Sequence, residues 1–354
     1  MFDKTKLKAL RAKYQGARET DVAPAEFRKA LSLVFGSNYQ RAMPFAGVST
    51  FLDLPYRPDA PDLPDFAGLD IALIGVPMDL GVTNRAGARF GPRAVRDIER
   101  IGPYNHALRV VPKAECKAAD IGDVPMRSRF SLDSCIEDIA AFYERIHAAG
   151  VRPLSVGGDH SITFPILKAL GRERPVGLVH IDAHCDTMGA IDGSKFHHGG
   201  PFRQAVLAGV LDPERTIQIG IRGAAEIFWG FSYDSGMTVL HIEDVDRLGV
   251  DAVAAKAREI VGDGPTYISF DVDGLDPAYA PGTGTPEAGG LTPREAQAML
   301  HGLKGLDIVG GDVVEVAPQY DPTTNTAMVG AQMLFEIFSL MVLGRRFARL
   351  ENGP

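Results

Sequence analysis

Three short segments carry the residue types that bind divalent cations, and each follows an apolar run. Gly157, Gly158, Asp159, His160 and Ser161 close the first, where two glycines permit a tight turn that delivers a histidine at a strand end. The second reads His180, Ile181, Asp182, Ala183, His184, Cys185, Asp186. If the backbone stays extended there, Asp182, His184 and Asp186 recur at i, i+2 and i+4 and face one side, while Ala183 and Cys185 face the other. The third contributes Asp271 and Asp273 after the run 266–270. The preceding runs read as buried on both faces, where unpaired carboxylates are costly, so these acids require cations. His160, Asp182, His184, Asp186, Asp271 and Asp273 are too many for one tetrahedral zinc and suit two adjacent divalent ions with mixed oxygen and imidazole ligation. Two ions about 3.5–4 Å apart share a water, lower its pKa and direct it at carbon or phosphorus. Metal-assisted hydrolysis is the reaction class, with phosphatase, aminopeptidase and amidine hydrolase chemistry all open.

The elements that must hold these side chains alternate. Strand-like runs fall at 71–76, 153–156, 176–181, 216–219, 238–242, 266–270 and 308–314, with helical patterns at 92–101, 135–149, 165–170, 202–208, 250–261, 293–303 and 325–343. Strand then helix, repeated, predicts an α/β fold with a mostly parallel central sheet covered on both faces. In such sheets chemistry sits beyond the carboxyl ends of the strands, where the acids and histidines are found. Residues 1–63 read as an amino-terminal extension that cannot build a core, and 64–354 as one catalytic domain.

Composition sets outer limits. The 354 residues are 45% hydrophobic and 23% charged, and 39 glycines and 24 prolines are scattered without period, which excludes collagen-like, low-complexity and solenoid readings. A net charge of −8 with no basic stripe gives no basis for a nucleic-acid partner. Cys116, Cys135 and Cys185 are far apart, which fits a reducing cytoplasm rather than a disulfide framework or zinc ribbon. The basic start has no apolar run behind it, and the apolar stretch 328–343 is interrupted by Gln332 and Glu336. A cytoplasmic protein with no leader, no spanning helix and no membrane role is expected.

Longer motifs narrow the chemistry: SVGGDHSIT at 155–163, HIDAHCDT at 180–187, HHG at 197–199, SFDVDGLDPAYAPGTGTPEAGGLT at 269–292 and DVVEVAP at 312–318. From about Phe45 onward the chain resembles the ureohydrolases, the arginase and agmatinase family. The resemblance implies a three-layer α/β/α arginase-like fold and a centre of two Mn2+ ions per chain that hydrolyses a guanidino group to urea and an amine. It places His160, Asp182, Asp186 and Asp271 at one metal or bridging, with His184 and Asp273 completing the second. Asp186 also orients the nucleophile. His198 matches the proton-shuttle histidine, adjacency to Gly199 favouring it over His197, and Glu315 matches the glutamate that pairs with the guanidinium. Both roles are chemically sensible, since a planar cation asks for a carboxylate and a departing amine for a proton donor titrating near neutrality. Ni2+ is the alternative metal, because carboxylate and imidazole accept either ion.

Departures from arginases bear on the substrate. Met188 stands where arginases carry an asparagine, and Thr285, Pro286, Glu287 resembles agmatinase-type members, so arginine is not expected. The segments 81–92 and 321–328 resemble the branch acting on guanidino acids, with 4-guanidinobutyrate the first expectation. Agmatine, 3-guanidinopropionate, guanidine, an N-alkylguanidine or a biguanide are the alternatives. A guanidino acid needs a cation at the pocket mouth, Arg85 first, with Arg203 and Lys195 behind it. Gly200 is expected to open the pocket floor and Cys185 to be packing. A trimer or hexamer is implied, joined through the apolar helix 325–343 and the extension; a mixed oligomer with a paralogue, including a non-catalytic role, is the reading from another class.

Overall fold

Alternate residues along each strand enter two different cores, as period-two geometry requires when both faces of a sheet are covered. The computed structural model describes residues 3–35, 45–99 and 101–344. Its strands are β1 (Ile71–Val76), β2 (Ala118–Asp123), β3 (Arg152–Gly157), β4 (Val176–Ile181), β5 (Leu211–Ile221), β6 (Thr238–His241), β7 (Thr266–Asp271) and β8 (Ile308–Val314). They form one sheet in the order β2-β1-β3-β8-β7-β4-β5-β6, with every pairing between neighbours parallel. Ile71, Leu73, Val179, Ile181, Ile268 and Phe270 face a core shared with the helices Val250–Val261, Pro293–Gly302 and Asn325–Val342. Ala72, Ile74, Val76, Leu178 and Tyr267 face a second core against Leu132–Ala148, Thr163–Leu170 and Pro201–Leu207. The three-layer α/β/α fold expected from the sequence is thereby present.

Strand order explains how distant motifs meet. The centre of the sheet runs β3-β8-β7-β4, so the segments after these strands, carrying His160, Glu315, Asp271 with Asp273, and Asp182 to Asp186, are spatial neighbours at one sheet edge. Several elements escaped the sequence reading, among them the short helices Pro112–Glu115 and Gly230–Ser235. The strand β2, AADIGD, has few β-branched residues and forms because it pairs with β1. The strand expected to reach residue 242 stops at His241, which caps the helix Ile242–Leu248 through a reciprocal box with Asp244. The helix Asn325–Val342 is apolar and long enough to cross a membrane, yet 83% of it is buried inside this chain. It packs on β8 and Pro293–Gly302, so its own subunit absorbs the surface expected to seek a partner.

The segment just before the first strand is built into this frame. Main-chain bonds from Arg57 N to Asp120 O (2.8 Å) and from Asp120 N to Pro55 O (3.0 Å) cover the open edge of β2. The buried Asp120 carboxylate accepts from Phe51 N at 3.0 Å and Arg96 Nε at 2.8 Å, and the Arg96 guanidinium lies 4.0 Å over the Phe51 ring. Phe51 is 0% exposed. Its truncation in Phe51→Ala should therefore cost about 3–5 kcal/mol, read as a lower denaturant midpoint; an unchanged midpoint would show the segment to be a dispensable tether.

Candidate metal centre and active site

The ligand residues converge, though not by the route that alternation suggests. β4 ends at Ile181, and residues 182–184 bend rather than continue extended. The bend is set by the acids themselves: Asp182 Oδ1 accepts from His184 N at 2.6 Å, and Asp273 Oδ1 from Ala183 N at 3.2 Å. After β7, Asp271 caps a single turn by accepting from Asp273 N at 2.8 Å. His160 Nδ1 then faces Asp182 Oδ2 at 3.1 Å, Asp186 Oδ2 at 2.9 Å and Asp271 Oδ2 at 3.2 Å. His184 Nδ1 faces Asp182 Oδ1 at 3.4 Å and Asp273 Oδ2 at 3.2 Å. Asp182 thus spans two groups, one around each histidine. Asp186 sits at φ 52° and Glu315 at φ 66°, left-handed conformations costly for such residues and typical of functional positions.

The surroundings decide how His160 presents itself. Asp312, buried beneath it, accepts from Ser269 Oγ (2.6 Å), Thr163 Oγ1 (2.7 Å) and the Tyr267 hydroxyl (2.9 Å). Since the Ser269 proton goes to Asp312, the Ser269 oxygen accepts from His160 Nε2, 2.8 Å away. In the neutral ring Nδ1 is then a bare lone pair, buried, with no directed hydrogen-bond partner and three carboxylate oxygens around it. That donor set fits a divalent cation. Electrostatics agrees: burial, then Asp273 and Asp182, push the Asp271 carboxyl well above its usual range, and Asp273 rises to about 6, mainly by burial. So many buried acids need cationic charge that imidazoles alone supply poorly.

His180, Ser269 and Asp312 are absent from the sequence-derived set. His180 stands close to His160 and Asp182, but its Nε2 lies 2.7 Å from Asp182 Oδ2 and its Nδ1 3.1 Å from Gln218 Nε2, which makes it a support for Asp182. The apolar–polar alternation of β4, β7 and β8 put these polar residues on the same face of the sheet and was their only signal. Ser269→Ala or Asp312→Asn should weaken metal binding roughly 10–100-fold in titrations of chelated protein, as loss of such support does elsewhere; unchanged affinity would remove the tautomer argument.

A cavity of about 220 Å³ opens beside the ligands, with His184, Asp186, Asp271 and Asp273 at its base and Met188, Phe228 and Trp229 on its wall. His198 lines it, with Nδ1 2.9 Å from Glu315 Oε1 and Nε2 2.6 Å from Thr83 Oγ1. Burial opposes charge on this ring, but the Glu315 carboxylate together with Asp186 and Asp159 outweighs it and raises the imidazole to about 9. Glu315 Oε1 also accepts from His160 N at 2.9 Å, while Glu315 Oε2 is buried without a donor. Asp159, likewise unforeseen, holds the facing loop by accepting from Gly81 N at 2.8 Å, and Gly81 O accepts from His198 N at 2.9 Å.

Other expectations change. Arg85 reaches the rim, but Nη2 donates to Thr283 O at 2.7 Å and Nε to Gly284 O at 3.4 Å, and the group stacks 4.5 Å over the Tyr320 ring. Nε and Nη2 thereby tie the Arg85 loop to residues 283 and 284. Lys195 lies over Phe196 and Arg203 over Phe231, and neither lines the cavity. Gly200 does not open the floor: a Cβ there would meet His197 Cε1 at 3.1 Å, so the His197 ring, anchored by Nε2 to Gly189 O at 2.7 Å, occupies that space. Cys185 is buried against Ser232 as packing, although it also touches the cavity wall.

The sequence matches the Arginase family over residues 69–339. The chain belongs to the arginase family. It is 51% identical to the guanidinopropionase of Pseudomonas aeruginosa, over 84% of this chain and 92% of that one. It is 47% identical to the mitochondrial agmatinase of Gallus gallus, over 83% of this chain and 86% of the relative. Among solved structures, the proclavaminate amidino hydrolase of Streptomyces clavuligerus superposes with a TM-score of 0.79 at 34% identity, covering 85% of this chain and 99% of that one. This arginase-family chain is a hydrolase of C–N bonds in linear amidines. The family's fold implies a binuclear divalent metal centre, which the donors around His160 and His184 fit.

Proposed function

We propose that this chain hydrolyses a guanidino compound to urea and an amine, with His160, Asp182, Asp186 and Asp271 holding one divalent ion and His184 and Asp273, sharing Asp182 and Asp271, holding the other. The supporting observation is the unpartnered, buried Glu315 Oε2 beside that cluster, a carboxylate oxygen that a guanidinium N–H would complete. When bound, the ions supply an activated water. Glu315 fixes the guanidinium plane, Asp186 orients the attacking water, and His198 gives its proton to the departing amine nitrogen. Thr83 and Glu315 hold the two nitrogens of His198, so the proton is carried at a set position. The ions are proposed as Mn2+ on the family's precedent, with Ni2+ equally suited to these donors. Metal analysis should approach two ions per chain, and full activity at one would end the two-ion reading. His198→Asn should lower kcat by roughly 10²–10⁴ with little change in KM; a mutant that keeps its kcat would move the proton donor elsewhere.

For the substrate tail, a guanidino acid is the first reading, 4-guanidinobutyrate by the motifs, and the name of the Pseudomonas aeruginosa guanidinopropionase supports that class. A second reading rests on the cavity wall: no Lys or Arg among the described residues lines it, and Met188, Phe228 and Trp229 do. Apolar walls favour an uncharged N-alkyl tail. Urea release from 4-guanidinobutyrate, 3-guanidinopropionate, agmatine and an alkylguanidine separates the readings by kcat/KM. If the acids lead, the first stands; if the alkylguanidine leads and Trp229→Ala erodes the lead, the second does. Assembly as a trimer or hexamer is proposed alongside, with the exposed Leu10, Tyr14, Phe45 and Val48 of the extension as the remaining apolar surface for it. Light scattering that shows a monomer at micromolar concentration would end that proposal.

A further inference from the structure

The turn that presents Asp273 is gripped from behind by a cation with no part in the chemistry above. Arg222 follows β5 and is 5% exposed. Its guanidinium donates to main-chain carbonyls: Nη2 to Asp273 O (2.7 Å), Glu287 O (2.7 Å) and Leu275 O (3.2 Å), Nη1 to Gly220 O (3.1 Å) and Gly274 O (3.2 Å), and Nε to Glu287 O (3.2 Å). Gly290 leaves the room, since a Cβ there would lie 2.4 Å from Nη2. Burial lowers the Arg222 guanidinium below its ordinary pKa, and the surrounding acids, Asp273 and Asp182 foremost, only partly offset this through space. A buried guanidinium solvated by carbonyls, without a paired carboxylate, is an expensive way to fix a turn.

The Asp273 side chain shows what the grip is for. Its own contacts are long, 3.2 Å to each of His184 Nδ1, Ala183 N and Thr285 Oγ1, so the carboxylate is aimed chiefly by its backbone. The His160 group has separate supports in Ser269, Asp312 and Glu315. We propose that Arg222 is the positioning residue of the His184–Asp273 ion site, fixing the turn so that Asp273 faces His184 while the His160 site is formed without it. The proposal rests on the two-ion reading of the centre. Two effects of Arg222 oppose each other: its positive charge repels a cation, whereas its clamp preorganises a ligand. The sign of the change on removing it therefore decides between them.

The test compares Arg222→Lys, which keeps the charge but not the fork, with Arg222→Met, which removes both. Each chelated protein is checked by circular dichroism and titrated with Mn2+, with metal content and the electron paramagnetic resonance spectrum recorded. Wild type must first bind two spin-coupled ions; if it binds one, the two-ion reading fails rather than this proposal. In the folded variants the second ion should bind roughly 10–100-fold more weakly, the coupled spectrum giving way to that of an isolated ion while the first ion's affinity stays within a few-fold of wild type. Folded variants that keep two coupled ions at wild-type affinity, or bind the second more tightly, overturn the proposal. So does a parallel loss at both sites.

Discussion

Four carboxylates, Asp182, Asp186, Asp271 and Asp273, lie buried within a few ångströms of two imidazoles, an arrangement that repels itself unless cations are present. Much of the local architecture follows from that constraint. Asp182, Asp271 and Asp273 are also hydrogen-bond acceptors that shape the chain around them, capping the turn after β7, closing the bend after β4, or receiving an imidazole N–H. The cluster is therefore both a donor set that fits metal ions and the fastener of the loops that carry it. A substitution there removes a charge and loosens a turn together.

Support is organised in layers behind the cluster. Asp312 gathers three hydroxyls and through Ser269 sets the tautomer of His160, and His180 steadies Asp182. These supports point to the same face of the sheet because Tyr267, Ser269 and Asp271 are two residues apart along β7, and Leu178 and His180 likewise along β4. Preorganisation of this kind places the reacting geometry on strands and their first turns, where side chains are positioned more precisely than on loops.

The cavity wall is built differently, from loops. The segment carrying Thr83 is tied down by Asp159 below and by the Arg85 clamp on Thr283 and Gly284 at the rim. Phe228 and Trp229 belong to the loop after β5. Such loops vary without disturbing the metal-binding frame, which is how one fold serves different guanidino compounds.

The alternation of strand and helix and the reaction class were readable from the sequence, because the reaction class follows from residue types and burial of both sheet faces imprints itself as apolar runs. The convergence of Asp182, His184 and Asp186 was also anticipated, but its cause was not: period-two geometry fails where β4 ends, and hydrogen bonds from Asp182 and Asp273 shape the bend instead. Arg85 had the right chemistry for a carboxylate, and only the folded chain brings the carbonyls of residues 283 and 284, some two hundred positions away, close enough to engage it. Strand order decides such outcomes. The neighbours β3-β8-β7-β4-β5 bring together segments whose separation along the chain carries no trace of their contact, so Asp312, Ser269 and Arg222 acquire their roles only in three dimensions.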